Sequence, residues 1–225
     1  MGFRSCRFLV CLLICVAAPR VALLAQTSSS PKAAKRPVAS PSSDFDPGTI
    51  TNGLYRNKTL AFTCKIPEGW VLRTDELNTH DEPSEPASPA ADAAPPASSA
   101  GAKVLLAAFS RPPQARGEDI NASILIAAEN ASAYPGLKDA VQYLAPIAEV
   151  AQAQGFAPDE DAYEFAIGTK TLVREDFHKN VGKRVMRQST LALLAHGYAL
   201  SITVIGGTED EVEELIDALT FTATK

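Results

Sequence analysis

Apolar positions alternate with polar or small ones in several stretches of this chain, with the period of a strand. Phe62, Cys64 and Ile66 fall on one side, and Thr63 and Lys65 on the other. Pro67 then removes a ladder donor and Gly69 tolerates positive φ, so the strand ends in a turn. The sole Trp, Trp70, follows. Its ring is expected to be buried at the edge of the core, with Val71 to Arg73 finishing the strand. Gly53 to Asn57 predicts an earlier turn and a short hairpin arm. The apolar run Val104 to Phe109 suits a central strand, and Asn121 to Glu129 predicts its neighbour. Tyr163, Phe165 and Ile167 mark another strand, Gly168-Thr169 a turn, and Thr171 to His178 the partner. Lys183 to Leu194 and Tyr198 to Ile205 predict a long hairpin across His196-Gly197. In its second arm Tyr198, Leu200, Ile202 and Val204 share one face; Ala199, Ser201, Thr203 and Ile205 share the other. Both faces are mostly apolar or small, the pattern of a sheet covered by helices on two sides.

Two stretches carry the helical period instead. Leu137, Val141, Leu144, Ala148 and Ala151 recur at alternating steps of four and three, one face of an amphipathic helix. Pro135 is placed to open it, and Gly155 to end it. Pro146 inside it predicts a kink or two short helices, because proline removes a backbone bond and crowds the preceding turn. The last helix opens at Thr208, whose side chain is set to cap the Glu211 N–H while Glu211 reaches back. Val212, Leu215, Ile216 and Leu219 form its buried stripe, and Phe221 docks the tail.

The pattern G-x-Y…N-x-x-x-x-F-x-x-x-I-P-E-G-W, from Gly53 to Trp70, resembles the PsbP/Mog-like family. The closing hairpin, acidic-start helix and L-T-F sequence resemble it too. This resemblance covers the chain from about Gly53 to Thr222 apart from one insert. It implies an α+β fold, a PsbP/Mog-like α/β/α sandwich with an antiparallel sheet of about six to seven strands between helices. It also implies a mostly non-catalytic protein that binds other proteins, with no active-site residues to carry over.

Composition adds a layout. Met1 to Ala25 has the build of a secretory signal: Arg4 and Arg7, then an apolar run from Phe8 to Ala18, then small and apolar residues before a cleavage placed after Ala25. Pro19 and Arg20 interrupt the apolar run, so no transmembrane span is expected after processing. Residues 26–47, rich in Ser, Pro, Ala and Lys, predict a disordered linker. Residues 48–225 form the domain, with a low-complexity disordered insert at 74–102. The destination is periplasmic or secreted, and the expected partner is a protein of the envelope or the cell exterior. The net charge is −5, and the leader holds only basic charges, so the mature chain is acidic. That argues against nucleic acid and anionic membrane as partners. Of four Cys, Cys6, Cys11 and Cys15 lie in the leader. Cys64 remains, and reads as a small buried hydrophobe.

The chain carries little recognisable chemistry. It has neither H-E-x-x-H, C-x-x-C, G-x-S-x-G, a glycine-rich phosphate loop nor an Asp-rich calcium loop, so no metal, cofactor or enzymatic activity is expected. Its histidines are His80, His178 and His196. The best polar constellation is Arg174, Asp176 and His178, which share one strand face. It reads as a partner-binding or acid/base patch, or as the charged rim of a solvated edge strand. Asp159-Glu160-Asp161 reads as a solvated loop able to attract a basic partner. The functional expectation is a non-catalytic protein-interaction module. The alternatives are a small-molecule or lipid carrier, for which an apolar cavity of roughly 300 Å³ or more would speak, and a hydrolase using His178 or His196.

Overall fold

The computed structural model describes residues 45–79 and 102–222, apart from residues 113, 116 and 118. The leader with its three cysteines, the linker as far as residue 44, and His80 lie outside the described residues.

The first strands build a small sheet. β1 (Thr49–Thr51) and β2 (Leu54–Asn57) pair antiparallel across Asn52-Gly53, whose positive φ values of 51° and 73° suit a tight hairpin turn. β3 (Phe62–Lys65) pairs with β2 and sets Tyr55 opposite Cys64. Phe62, Cys64 and Ile66 are all buried, as their alternation predicts. At the turn that follows, the Trp70 N–H donates to the Pro67 carbonyl at 3.4 Å, and Gly69 has φ 82°, which a residue with a Cβ rarely adopts. Trp70 is half-buried against the core instead of fully enclosed. The turn sends the chain out of the small sheet and into a larger one through β4 (Val71–Leu72).

The large sheet is wholly antiparallel. β5 (Lys103–Phe109) and β6 (Ser123–Asn130) pair, with a register shift between Val104 and Leu106. A short helical turn at Ala131–Ala133 leads to α2 (Ala140–Ala153), where α1 is the earlier Thr74–Thr79 helix. β7 (Ala157–Pro158) and β8 (Tyr163–Ile167) both pair with β9 (Lys170–Val181). β10 (Arg184–Ala195) and β11 (Tyr198–Gly206) form the expected long hairpin, turning at His196 and Gly197 with φ 53° and 80°. α3 (Glu209–Asp217) follows, and β12 (Leu219–Phe221) returns to pair with β3. The order across the large sheet is β4-β5-β6-β11-β10-β9-β7, with β8 also on β9.

This differs from the expected single sheet of six to seven strands between helices. There are two sheets, of eight and four strands. One face of the large sheet is covered by α2 and, beside it, by Leu77 of α1 against Val104, Ala107, Phe109 and Leu125. On the other, the small sheet and α3 share one core with it, joining Tyr55, Phe62 and Cys64 to Ile126, Leu191 and Ile202 and to Leu215. Alternation shows that Phe62 to Ile66 is a strand; it does not say which strand it pairs with. Leu219 to Phe221, expected only to dock, completes the small sheet.

Local boundaries shift for identifiable reasons. Phe45 is buried against Tyr198, with ring centroids 4.2 Å apart, so the domain begins inside the expected linker. The Asp46 carboxylate accepts from the N–H groups of Gly48, Lys58 and Thr59 at 2.9, 2.9 and 3.3 Å. Burial pushes its pKa up, but these bonds outweigh it and hold the group below the usual value. The first residues of the expected insert form α1. α1 is tied to β5 by Thr74 Oγ1, which accepts from the Ala107 N–H at 3.0 Å, and by Asn78, which bonds both the N–H and the carbonyl of Val104. Pro135 precedes α2 without opening it. Asp139 is the N-cap, accepting from the Gln142 N–H at 2.9 Å. α2 runs as one helix through Pro146. At α3, Thr208 caps Glu211 at 3.1 Å as expected, but the Glu211 carboxylate accepts from the Gly207 N–H at 2.7 Å, one residue earlier than the box predicts.

Candidate functional site: a cavity beneath α2

The face of the large sheet under α2 is built from the small set of alternating positions. Ala127 on β6 sits opposite Ser201 on β11, and Leu125 sits opposite Thr203. Near β9 and β10 the fit is close: Tyr143 and Leu144 of α2 pack on Val173, Ala192 and Ala199. Towards β5 it is not. Ala127 and Thr203 are short, Ser201 reaches the helix only through a side-chain hydrogen bond with Tyr143, and a cavity of about 490 Å³ remains between this floor and α2. Val104 and Leu125 wall one side, and Leu137, Pro146, Ile147 and Ala151 the helix side. Val150, 41% exposed, lines it as well.

A few polar groups interrupt these apolar walls. Glu129, only 7% exposed, lies at the cavity and accepts from the Tyr143 hydroxyl at 3.0 Å and from the Tyr134 hydroxyl. Burial, and then the nearby Glu129 charge, pushes the Tyr143 phenol well above its usual range. Gln188 on β10 is 4% exposed and also lines the space. Its Nε2 donates to Thr190 Oγ1 at 3.1 Å, while its Oε1 accepts no hydrogen bond. Buried polar atoms are nearly always paired, so such an atom calls for an explanation. Among the described residues lining the cavity there is one carboxylate and no Lys, Arg or His.

Sequence periodicity finds only part of this site. Leu144, Ala148 and Ala151 face inward as expected, but Val141 is 51% exposed and Tyr143 is buried in its stead. The helix begins at Ala140, so Val141 lies in its first turn, where the stripe departs from the buried face. Pro146, read only as a helix breaker, forms part of the wall. A run of small residues on one face of β11 was the available signal, and it reads equally well as close packing.

Arg174, Asp176 and His178 do share one face of β9, but within two separate groups of contacts. Arg174 is 5% exposed. It donates to Asp176 at 2.9 Å and grips both oxygens of Glu213 on α3. Its guanidinium also lies 4.8 Å from the Phe165 ring centre. Burial opposes the Arg174 charge, but Glu213 and Asp176 outweigh it and hold the pKa above its usual value. Tyr163 donates to the second Asp176 oxygen at 2.6 Å. His178 instead meets Asp159, whose other oxygen lies 3.6 Å from Arg187. Asp159, Tyr163, Arg174, Asp176, Arg187 and Glu213, but not His178, border a polar hollow of about 300 Å³. His196 stands apart in the β10–β11 turn. Cys64 is fully buried, and burial pushes its thiol up to about 12. Among the described residues no three His, Cys, Asp or Glu side chains gather as a metal site requires, and no helix is long and apolar enough to cross a membrane.

No family model matches the chain, and no curated protein matches it. Matching solved structures include a protein of Bacteroides thetaiotaomicron, at 13% identity over 77% of this chain, with TM-score 0.39. This chain spans 50% of the length of that one. LpqN of Mycobacterium tuberculosis, described as involved in cell envelope biogenesis, matches at 16% identity over 79% of this chain and 87% of its own, with TM-score 0.35. The Ran-binding protein Mog1p of Saccharomyces cerevisiae matches at 12% identity over 77% of this chain and 86% of its own, with TM-score 0.38. A Mog-type structure, as the Gly53–Trp70 resemblance implies, is thus among the matches. These are likenesses of fold pattern, and no residue role is transferred from them.

Proposed function

We propose that this chain is an exported, non-catalytic binding protein that holds a small, largely apolar ligand in the cavity beneath α2. The observation that carries this reading is the cavity itself. Its volume, about 490 Å³, lies within the range of roughly 300–1,000 Å³ usual for ligand sites. A domain selected for stability alone would fill it, because unfilled space forfeits packing energy. The absence of a catalytic motif in the sequence supports a binding role, and the polar groups at the cavity include no histidine to act as a base. Export rests on the Met1–Ala25 leader, and mass analysis of the mature chain from its own host, expected to start at Gln26, checks it.

The test of binding is saturable fluorescence enhancement of N-phenyl-naphthylamine, a neutral apolar probe, with the purified domain. Ala127→Leu, which fills the cavity from its floor, is expected to weaken the probe at least tenfold while leaving the fold intact. Absence of saturable binding by the unaltered protein, or unchanged binding by Ala127→Leu, would refute the reading.

The protein-contact reading has one observation in its favour. Ile50 and Leu72, 41% and 46% exposed, border the same surface hollow, where exposed aliphatic groups can mark a contact site. Crosslinking in envelope extracts tests it. Ile50→Asp together with Leu72→Asp should abolish any specific crosslink, and a product indifferent to both would assign the contact elsewhere.

A further inference from the structure

We infer that the ligand in the cavity beneath α2 is a single-chain amphiphile whose head group is neutral and donates a hydrogen bond, as an alcohol does. This inference rests on the binding role proposed above and specifies the chemistry of that site. The walls fix the body of the ligand. Val104, Leu125, Leu137 and Ile147 offer it no polar partner, so the buried portion is hydrocarbon.

The polar groups fix the head. Gln188 Oε1 is a buried acceptor with nothing donating to it, and the amide is held in place through its Nε2 bond to Thr190. An acceptor left in this state loses its hydration without compensation, and a ligand hydroxyl arriving there restores the missing bond. Glu129 stands away from this point, opposite Ala199 on β11 where Gln188 is opposite Ile205, so the head group is assigned to Gln188 alone. The charge of the lining then excludes one large class of amphiphile. A fatty-acid carboxylate or a phosphate head seated at Gln188 would give up hydration with no cation among the described lining residues to offset the loss. A neutral donor does not carry that penalty.

The experiment displaces N-phenyl-naphthylamine from the purified domain with n-decanol, its methyl ether and decanoate at neutral pH. These share one chain and differ at the head. n-Decanol is expected to compete about tenfold better than the ether, which cannot donate. Decanoate is expected to be weaker than the alcohol by about a hundredfold. Gln188→Leu removes the acceptor while keeping an apolar side chain of similar size. It should reduce the alcohol-over-ether preference to about threefold or less while the ether still binds. The circular dichroism of this variant and its binding of the ether show that it has folded. If the ether and the alcohol compete equally, or decanoate competes best, the head-group inference falls and the binding role stands. If the alcohol preference survives Gln188→Leu in full, the assigned acceptor is wrong and the inference falls with it. If the probe itself does not bind, both fall together.

Discussion

The two faces of β11 share one backbone and have opposite surroundings. Leu200, Ile202 and Val204 join Phe62, Cys64 and Leu215 in a continuous core against the small sheet and α3. Ala199, Ser201 and Thr203 look the other way, where Ala199 packs on α2, Ser201 hydrogen-bonds its Tyr143, and Ser201 and Thr203 line the cavity. Successive residues of one strand thus divide between holding the domain together and leaving space within it. The division also explains how a hollow is tolerated. The filled face supplies enough buried apolar surface that the other need not be filled.

Truncation on the filled face should have the largest effect. Ile202→Ala opens a void among residues with no exposure and is expected to cost about 2–5 kcal/mol. Thr203→Ala, the next residue, removes atoms that already border a void and should cost less than about 1 kcal/mol. Urea denaturation of the pair measures the contrast directly, and similar losses at both sites would show that the two faces are packed alike. Arg174→Met comes next. It leaves Asp176 and Glu213 without their shared cation and is expected to cost about 2–4 kcal/mol, with the lower end favoured because Glu213 is 43% exposed. A loss below about 0.5 kcal/mol would return Arg174 to the class of surface charges.

Alkaline pH should weaken the filled face in a way that one substitution removes. The unfolded Cys64 thiol ionises near its ordinary value of 9.0, and the folded one only near 12. Between these values the folded chain binds more protons than the unfolded chain, so stability falls as pH rises. One unit above the unfolded value the loss is on the order of 1 kcal/mol. Cys64→Val should flatten this slope in the range below tyrosine ionisation. Tyr55, raised to about 12 mainly by burial, adds a second fall at higher pH in both proteins. An unchanged first slope in Cys64→Val would mean that another group causes it.

Most strands were legible in the sequence, and their arrangement was not. The β10–β11 hairpin was visible because a strong alternation on each side meets at His196-Gly197, a local signal. The partition into two sheets depends on Leu219–Phe221 pairing with Phe62–Cys64 across most of the chain, and local pattern carries no record of such distant choices. Trp70 shows the same limit: its position after the Pro67–Gly69 turn was readable, its half-burial was not. The Arg174 face was found, but its principal partner, Glu213, comes from α3 and shares no periodicity with β9. The cavity was the least legible feature. Ala127, Ser201 and Thr203 are small in sequence whether a helix closes on them or stands off, and that distance is set by Tyr143 and Leu144 elsewhere on the helix.

The finest form of the comparison lies on α2 itself, between two exposed valines. Val150 lines the cavity; Val141, on the same helix and 51% exposed, does not. Serine and valine differ little in helix propensity, so Val150→Ser and Val141→Ser should each shift stability by less than about 0.5 kcal/mol. Their effects on probe affinity should separate. Val150→Ser removes apolar surface that a bound ligand would cover and is expected to weaken N-phenyl-naphthylamine about threefold, the scale of one or two lost methyl contacts. Val141→Ser should leave the affinity unchanged. Equal weakening by both would indicate that the probe adsorbs to the outer surface of α2, because only an internal site distinguishes two residues so alike in chemistry and exposure.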